Sequence, residues 1–167
     1  MAVVDTSSSD LWHLLEERAK RTPAADALVD RVGRRVTFEE LREGSASLAA
    51  GLNRVGVTAG ATVAWELPTC IEAVELSLAL ARLEVTQVPI IAIYREREVS
   101  HCCRETGASW LFTGGAFRGY DFASMGDSVA KSLDIEHLSL TATSLSRGDA
   151  SELPGRAAPS GEARWVF

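Results

Sequence analysis

The chain has 167 residues, 46% hydrophobic and 24% charged, and its 17 Lys and Arg against 23 Asp and Glu give a net charge of −6. So many aliphatic residues at so modest a charge exclude a disordered chain, and the length suits one domain with a sizeable core. The acidic balance excludes nucleic acid as the main partner, because phosphate binding needs a clustered basic surface.

The amino end, Met1-Ala2-Val3-Val4-Asp5, has neither a basic stretch nor an apolar run of signal-peptide length. Ser7-Ser8-Ser9-Asp10 offers several N-cap side chains before Leu11, Leu14, Leu15 and Ala19, which share one helical face until Pro23 stops the helix. Ala27–Val29 and Arg35–Phe38 read as two short strands, and Val32-Gly33-Arg34 between them predicts a hairpin. Thr37-Phe38-Glu39-Glu40 is a capping box opening a helix with Leu41, Leu48, Leu52 and Val55 on its buried stripe and Gly56 at its end.

From there strands and helices alternate. Thr62–Leu67 is a strand closed by Pro68, and Ile71–Val85 is a helix buried on most sides with a polar stripe of Glu72, Glu75 and Arg82. Thr86–Ile91 (strand), Glu96–Glu105 (helix), Ser109–Thr113 (strand), Phe122–Leu133 (helix) and His137–Thr141 (strand) follow. This order predicts an α/β fold: a mostly parallel sheet with flanking helices, plus the amino-terminal β-hairpin. The longest near-apolar stretch, Val74–Val85, is broken by Glu75, Arg82 and Glu84, so no membrane span is expected and the location expected is cytoplasmic.

Residues 1–142 are expected to form the α/β unit, and 143–163, rich in Ser, Gly, Ala and Pro, a flexible surface linker. Residues 164–167, Arg164-Trp165-Val166-Phe167, read as the start of a truncated strand without a local partner.

Leu11-Trp12-His13-Leu14-Leu15-Glu16-Glu17, Ala27-Leu28-Val29, Val36-Thr37-Phe38-Glu39-Glu40-Leu41, Leu48-Ala49-Ala50-Gly51-Leu52, Gly56-Val57 through Gly60, Val63 and Leu67-Pro68 form an ordered series. That series resembles the amino-terminal region of the adenylate-forming superfamily: acyl- and aryl-CoA synthetases, luciferases and adenylation domains of peptide synthetases. Pro89-Ile90-Ile91-Ala92-Ile93-Tyr94-Arg95-Glu96-Arg97-Glu98 and Phe117-Arg118-Gly119-Tyr120-Asp121-Phe122-Ala123-Ser124-Met125 look like its cyclohexanecarboxylate-CoA ligase-like branch. Departures are Thr69 where the family usually has Asn, Ala61 where Asp is usual, and Glu84 where Gly is common.

The resemblance implies a two-step reaction. A carboxylate attacks the α-phosphorus of Mg-ATP to give an acyl-adenylate and pyrophosphate, and the thiol of coenzyme A then displaces AMP. In that family a strand like Trp165-Val166-Phe167 leads into a Thr/Ser/Gly-rich phosphate loop, and the ribose-binding acid, the adenine-side aromatic and the carboxyl-terminal lysine come later. The chain is therefore expected to be the first third of an acid–CoA ligase, inactive alone, with no catalytic residue and no cofactor of its own. ATP, Mg, coenzyme A and a small carboxylic acid would belong to the full-length enzyme. The remainder of the ligase or a second copy is the expected protein partner. The alternative is a non-enzymatic α/β interaction module derived from a ligase.

The resemblance also marks Arg118-Gly119 as a contact for the coenzyme A nucleotide phosphate; an arginine on a glycine-flanked loop can offer two parallel donors, and a solvated loop arginine fits as well. Tyr94 and Arg95 follow a strand's carboxyl end, where ligands of open α/β sheets gather, yet they also fit a plain helix start. Gly114-Gly115 lacks the spacing of a phosphate-binding fingerprint and reads as a turn. Cys70, Cys102 and Cys103 have no disulfide spacing, and adjacent helical residues point about 100° apart, so His101-Cys102-Cys103 cannot converge on a metal. His13, His101 and His137 show no neighbouring carboxylate and hydroxyl in sequence, so no triad is expected.

Overall fold

The computed structural model describes residues 10–141, 147–156 and 164–166. Helix α1 (Leu11–Arg21) is capped by Asp10, whose carboxylate accepts the His13 N–H at 2.9 Å. Strands β1 (Asp26–Val29) and β2 (Arg35–Thr37) form the antiparallel hairpin. At its tip Gly33 has a φ of 86°, and the Asp30 carboxylate accepts the Val32 and Arg34 N–H groups. Thr37 and Glu40 exchange both bonds of the capping box at the start of α2 (Phe38–Arg54).

Strands β3 (Thr62–Glu66), β4 (Thr86–Pro89), β5 (Trp110–Thr113) and β8 (Glu136–Ser139) make one parallel sheet in the order β4-β3-β5-β8. Helices α3 (Ile71–Arg82), α4 (Glu96–Thr106) and α5 (Phe122–Leu133) make its crossovers. Strand periodicity sends Val63 and Phe112 to one face, where they meet Leu48 and Leu52 of α2 and Leu76 and Leu80 of α3. Ala64, Val88 and Leu111 point to the other, against Val99 and Cys103 of α4 and Met125 and Val129 of α5. A third cluster, around Trp12, Leu15, Leu41 and Leu78, packs α1 and the hairpin onto the α2–α3 layer. The expected fold is the observed one.

Two features depart from the sequence reading. Strands β6 (Ala116–Phe117) and β7 (Tyr120–Asp121) form a second hairpin where a loop was expected. Glu75 sits inside rather than on a solvent stripe: Arg147 grips its two oxygens at 2.7 and 2.9 Å. The terminal segment, without a partner in the neighbouring sequence, pairs with a distant strand. Gln87 donates its N–H to the Arg164 carbonyl at 2.8 Å, and Val166 donates to the Gln87 carbonyl at 2.9 Å, placing Trp165 parallel to the outer edge of β4. The open backbone of β4 supplies what the neighbouring sequence could not.

Within the segment 143–163, residues 147–156 lie docked across α2 and α3. Ser47 and Gly148 exchange two hydrogen bonds at 2.8 Å, Arg54 meets Glu152 at 2.9 Å, and Arg82 donates to the Pro154 carbonyl at 3.0 Å. A Cβ at Gly148 would stand 2.9 Å from the backbone of Ala50 and Gly51, so glycine permits this close approach. The rest of that segment, 143–146 and 157–163, lies outside the described residues.

Glu84, one of the departures from the resembled family, has a φ of 58° just after α3. A side chain is strained there and glycine is not. Glu84→Gly is expected to stabilise the chain by about 0.5–1 kcal/mol in urea unfolding; a loss of stability would show that the Glu84 side chain outweighs the backbone strain.

Candidate functional site

The carboxyl ends of β3, β4 and β5 open on one edge of the sheet, the edge where ligands of open α/β folds bind. Glu66 closes β3 there, facing the α4–α5 layer beside its register partner Thr113. Its residue exposure is 1%, and neither carboxylate oxygen has a hydrogen-bond partner. Burial raises its pKa to about 7, only partly offset by the nearby positive charge of Arg95. A carboxyl so placed keeps its proton to far higher pH than an exposed glutamate and ionises near neutrality.

Arg95 precedes α4, whose Glu98 accepts the Arg95 N–H at 3.2 Å. Its guanidinium stands 4.1 Å from the Tyr120 ring centroid and 5.4 Å from that of Phe122, and it donates to the Tyr94 carbonyl at 2.7 Å. One cation thus ties the start of α4 to β7 and the start of α5. Tyr94 itself is exposed, in the turn its N–H closes onto the Ile91 carbonyl.

Arg118 and Gly119 are the two central residues of the β6–β7 turn, with φ of 49° and 77°. Positive φ at both positions matches the right-handed twist of a two-residue hairpin, a conformation for which Arg118 is an uncommon residue. The Arg118 guanidinium lies 5.3 Å from the Phe117 ring and is exposed. Gly114-Gly115 forms the turn between β5 and β6, where the Gly114 N–H donates to the Glu66 carbonyl at 3.3 Å.

The histidine reading needs correction. Thr113 Oγ1 lies 2.8 Å from His137 Nε2, and His137 Nδ1 lies 2.7 Å from Asp127 Oδ1. A hydroxyl, an imidazole and a carboxylate do converge, drawn from β5, β8 and α5. The order of a triad is present, but Thr113 is 0% exposed, so no substrate reaches the hydroxyl. The array ties three elements together. Among the described residues no three His, Cys, Asp or Glu side chains gather as metal ligands, and no helix is long and apolar enough to cross a membrane. Burial pushes the Cys103 thiol up to about 12 and raises that of Cys102.

Comparison with known proteins gives this edge a context. The model of the family described as AMP-binding enzyme matches residues 15–163, most of the chain. The chain belongs to the AMP-binding enzyme family. A 2-hydroxy-7-methoxy-5-methyl-1-naphthoate–CoA ligase of Streptomyces carzinostaticus is 29% identical over 139 residues, covering 83% of this chain and 25% of the ligase. Pyochelin synthase PchD of Pseudomonas aeruginosa is 34% identical over 107 residues, 64% of this chain and 19% of the synthase. The N-terminal subdomain of Klebsiella oxytoca NpsA, solved with 3-hydroxybenzoyl-AMSN, superposes with a TM-score of 0.72 at 19% identity, over 96% of this chain and 37% of that one. That likeness shows the fold, and the chain spans a fifth to a quarter of the length of the curated relatives it matches.

In this member of the AMP-binding enzyme family, sequence reasoning singled out Arg118, Gly119, Tyr94 and Arg95 and passed over Glu66. The structure brings Arg95 and the hairpin bearing Arg118 together through Tyr120. One signal for Glu66 was available: a carboxylate ending an otherwise apolar strand, Thr62-Val63-Ala64-Trp65-Glu66, one residue before a Leu-Pro stop.

Proposed function

We propose that this chain supplies the N-terminal part of an ATP-dependent carboxylic acid–CoA ligase, and that it is inactive alone. The observation that carries the reading is the family match across residues 15–163. The runs Pro89–Glu98 and Phe117–Met125 support the finer placing in the cyclohexanecarboxylate-CoA ligase-like branch, and the naphthoate–CoA ligase relative supports coenzyme A as acceptor. Such an enzyme couples two displacements, and both depend on charge neutralisation around phosphates. The part of that work assigned to this chain is modest. Arg118, at the tip of the β6–β7 hairpin, contacts a phosphate of the coenzyme A nucleotide, and Gly119 lets the backbone approach closely. The acid, ATP and Mg are held by residues of the larger enzyme. Its remainder covers Ile91 and Ile93, which are 61% and 64% exposed beside the sheet's carboxyl edge.

The likeness to NpsA-ThdA of Klebsiella oxytoca, described as an adenylation–PCP di-domain NRPS, favours a second reading, an adenylation unit of a peptide-type synthetase. The two differ in the thiol acceptor. With the 167-residue chain, millimolar adenosine 3′,5′-bisphosphate is expected to shift the Gly119 amide signal, and Arg118→Ala is expected to abolish the shift. A silent Gly119 would remove the coenzyme A contact and leave the second reading. Pyrophosphate release by the chain with ATP, Mg and aryl or medium-chain acids is expected to match a protein-free blank; turnover would overturn the assignment of catalysis to residues elsewhere.

A further inference from the structure

Hairpin β6–β7 consists of two residue pairs, Ala116–Asp121 and Phe117–Tyr120, a ladder too short to be stable by itself. Arg95 bears on it through the Tyr120 ring, and the same guanidinium is the positive charge acting on the buried, partnerless Glu66. An ionised carboxylate in a buried setting is a stronger partner for a guanidinium than an aromatic face. We propose that Arg95 is a two-position clamp, holding the hairpin through Tyr120 and Phe122 while Glu66 is neutral and turning inward to Glu66 when that carboxyl ionises, which frees the Arg118–Gly119 tip.

The burial that raises Glu66 places its ionisation near neutrality, so modest changes of pH select between the two positions. The other titratable groups around it are few. Helix α4 contributes Cys102 and Cys103, whose raised pKa values keep them as thiols through this range, and Glu98 near Cys102. Strand β5 contributes Thr113, which leads to His137 of β8 and Asp127 of α5. The loop contributes Tyr94 and Arg95, β7 contributes Tyr120 and Asp121, and β4 with the residue after it contributes only the apolar Val88 and Ile90. His137 is therefore the group that the test must separate from Glu66. The clamp stands or falls independently of whether the tip meets coenzyme A.

Amide-exchange protection of residues 117–120, measured by NMR on the 167-residue chain at pH 5 and pH 9, tests the clamp. Protection is expected to fall roughly tenfold in the parent chain at the higher pH, with the Tyr120 ring signals moving at the same midpoint as the Glu66 carboxyl. In Glu66→Gln, protection is expected to stay at the pH 5 level throughout. In Arg95→Leu, a change at an exposed position, it is expected to be low at both pH values. A pH-dependent loss that persists in Glu66→Gln would assign the switch to His137 and overturn the proposal. Full protection in Arg95→Leu would overturn it as well.

Discussion

Glu66→Gln is expected to leave stability at pH 4.5 nearly unchanged and to raise it at pH 8 by about 3 kcal/mol relative to the parent chain. The direction follows from proton counting. Folding raises the Glu66 pKa from 4.5 to about 7, chiefly by burial, so between those values the folded chain holds a proton that the unfolded chain has released. The stability contributed by the neutral acid is complete below pH 4.5 and is lost as pH rises towards and through 7. Gln keeps the size and polarity of the neutral acid and carries no charge. Urea unfolding at pH 4.5, 6 and 8 would show the two chains diverging as pH rises. Parallel curves would mean that the buried carboxyl reaches water or Arg95 at no cost.

Gly126→Ala is expected to destabilise the chain by about 2–3 kcal/mol, although Ala is the better helix former by about 1 kcal/mol. Gly126 lies in α5 directly beneath His137, and an added Cβ would overlap the imidazole, coming within 2.8 Å of Cδ2 and Cε1. The ring would have to leave Thr113 and Asp127 together, and the fully buried Thr113 hydroxyl would lose its partner. The decisive comparison is a double-mutant cycle. With His137→Ala already in place, adding Gly126→Ala is expected to stabilise rather than destabilise, because only the helix propensity term is left. Additive losses would show that Gly126 is required by the helix–sheet spacing and not by the imidazole.

These two sites also show where the sequence could be read and where it could not. The capping box from Thr37 to Glu40 is local, complete within four residues, and it forms as expected. The alternation from Thr62 onward is equally local in each element, and parallel pairing follows from chain direction alone. Contacts between distant residues left no such trace. Thr113, Asp127 and His137 meet only because β5, α5 and β8 are stacked, and the small residue that makes room for them, Gly126, looks like any helical glycine. Glu75 resembles a solvent-facing charge until Arg147 arrives from far downstream. The hairpin tip at Arg118–Gly119 was hidden for a different reason: its strands are two residues long, below the length at which alternation can be seen.

The pairing of Gln87 with Trp165 has a bearing on how the protein is made. On the ribosome the outer edge of β4 emerges long before the segment that covers it, and its unsatisfied backbone can recruit strands from other nascent chains in the interval. Among the described residues, sheet completion waits on the most sequence-distant backbone pairing of the sheet, which makes it a late closing event. Until that segment arrives, the exposed edge of β4 is the part of the sheet most open to pairing with another chain.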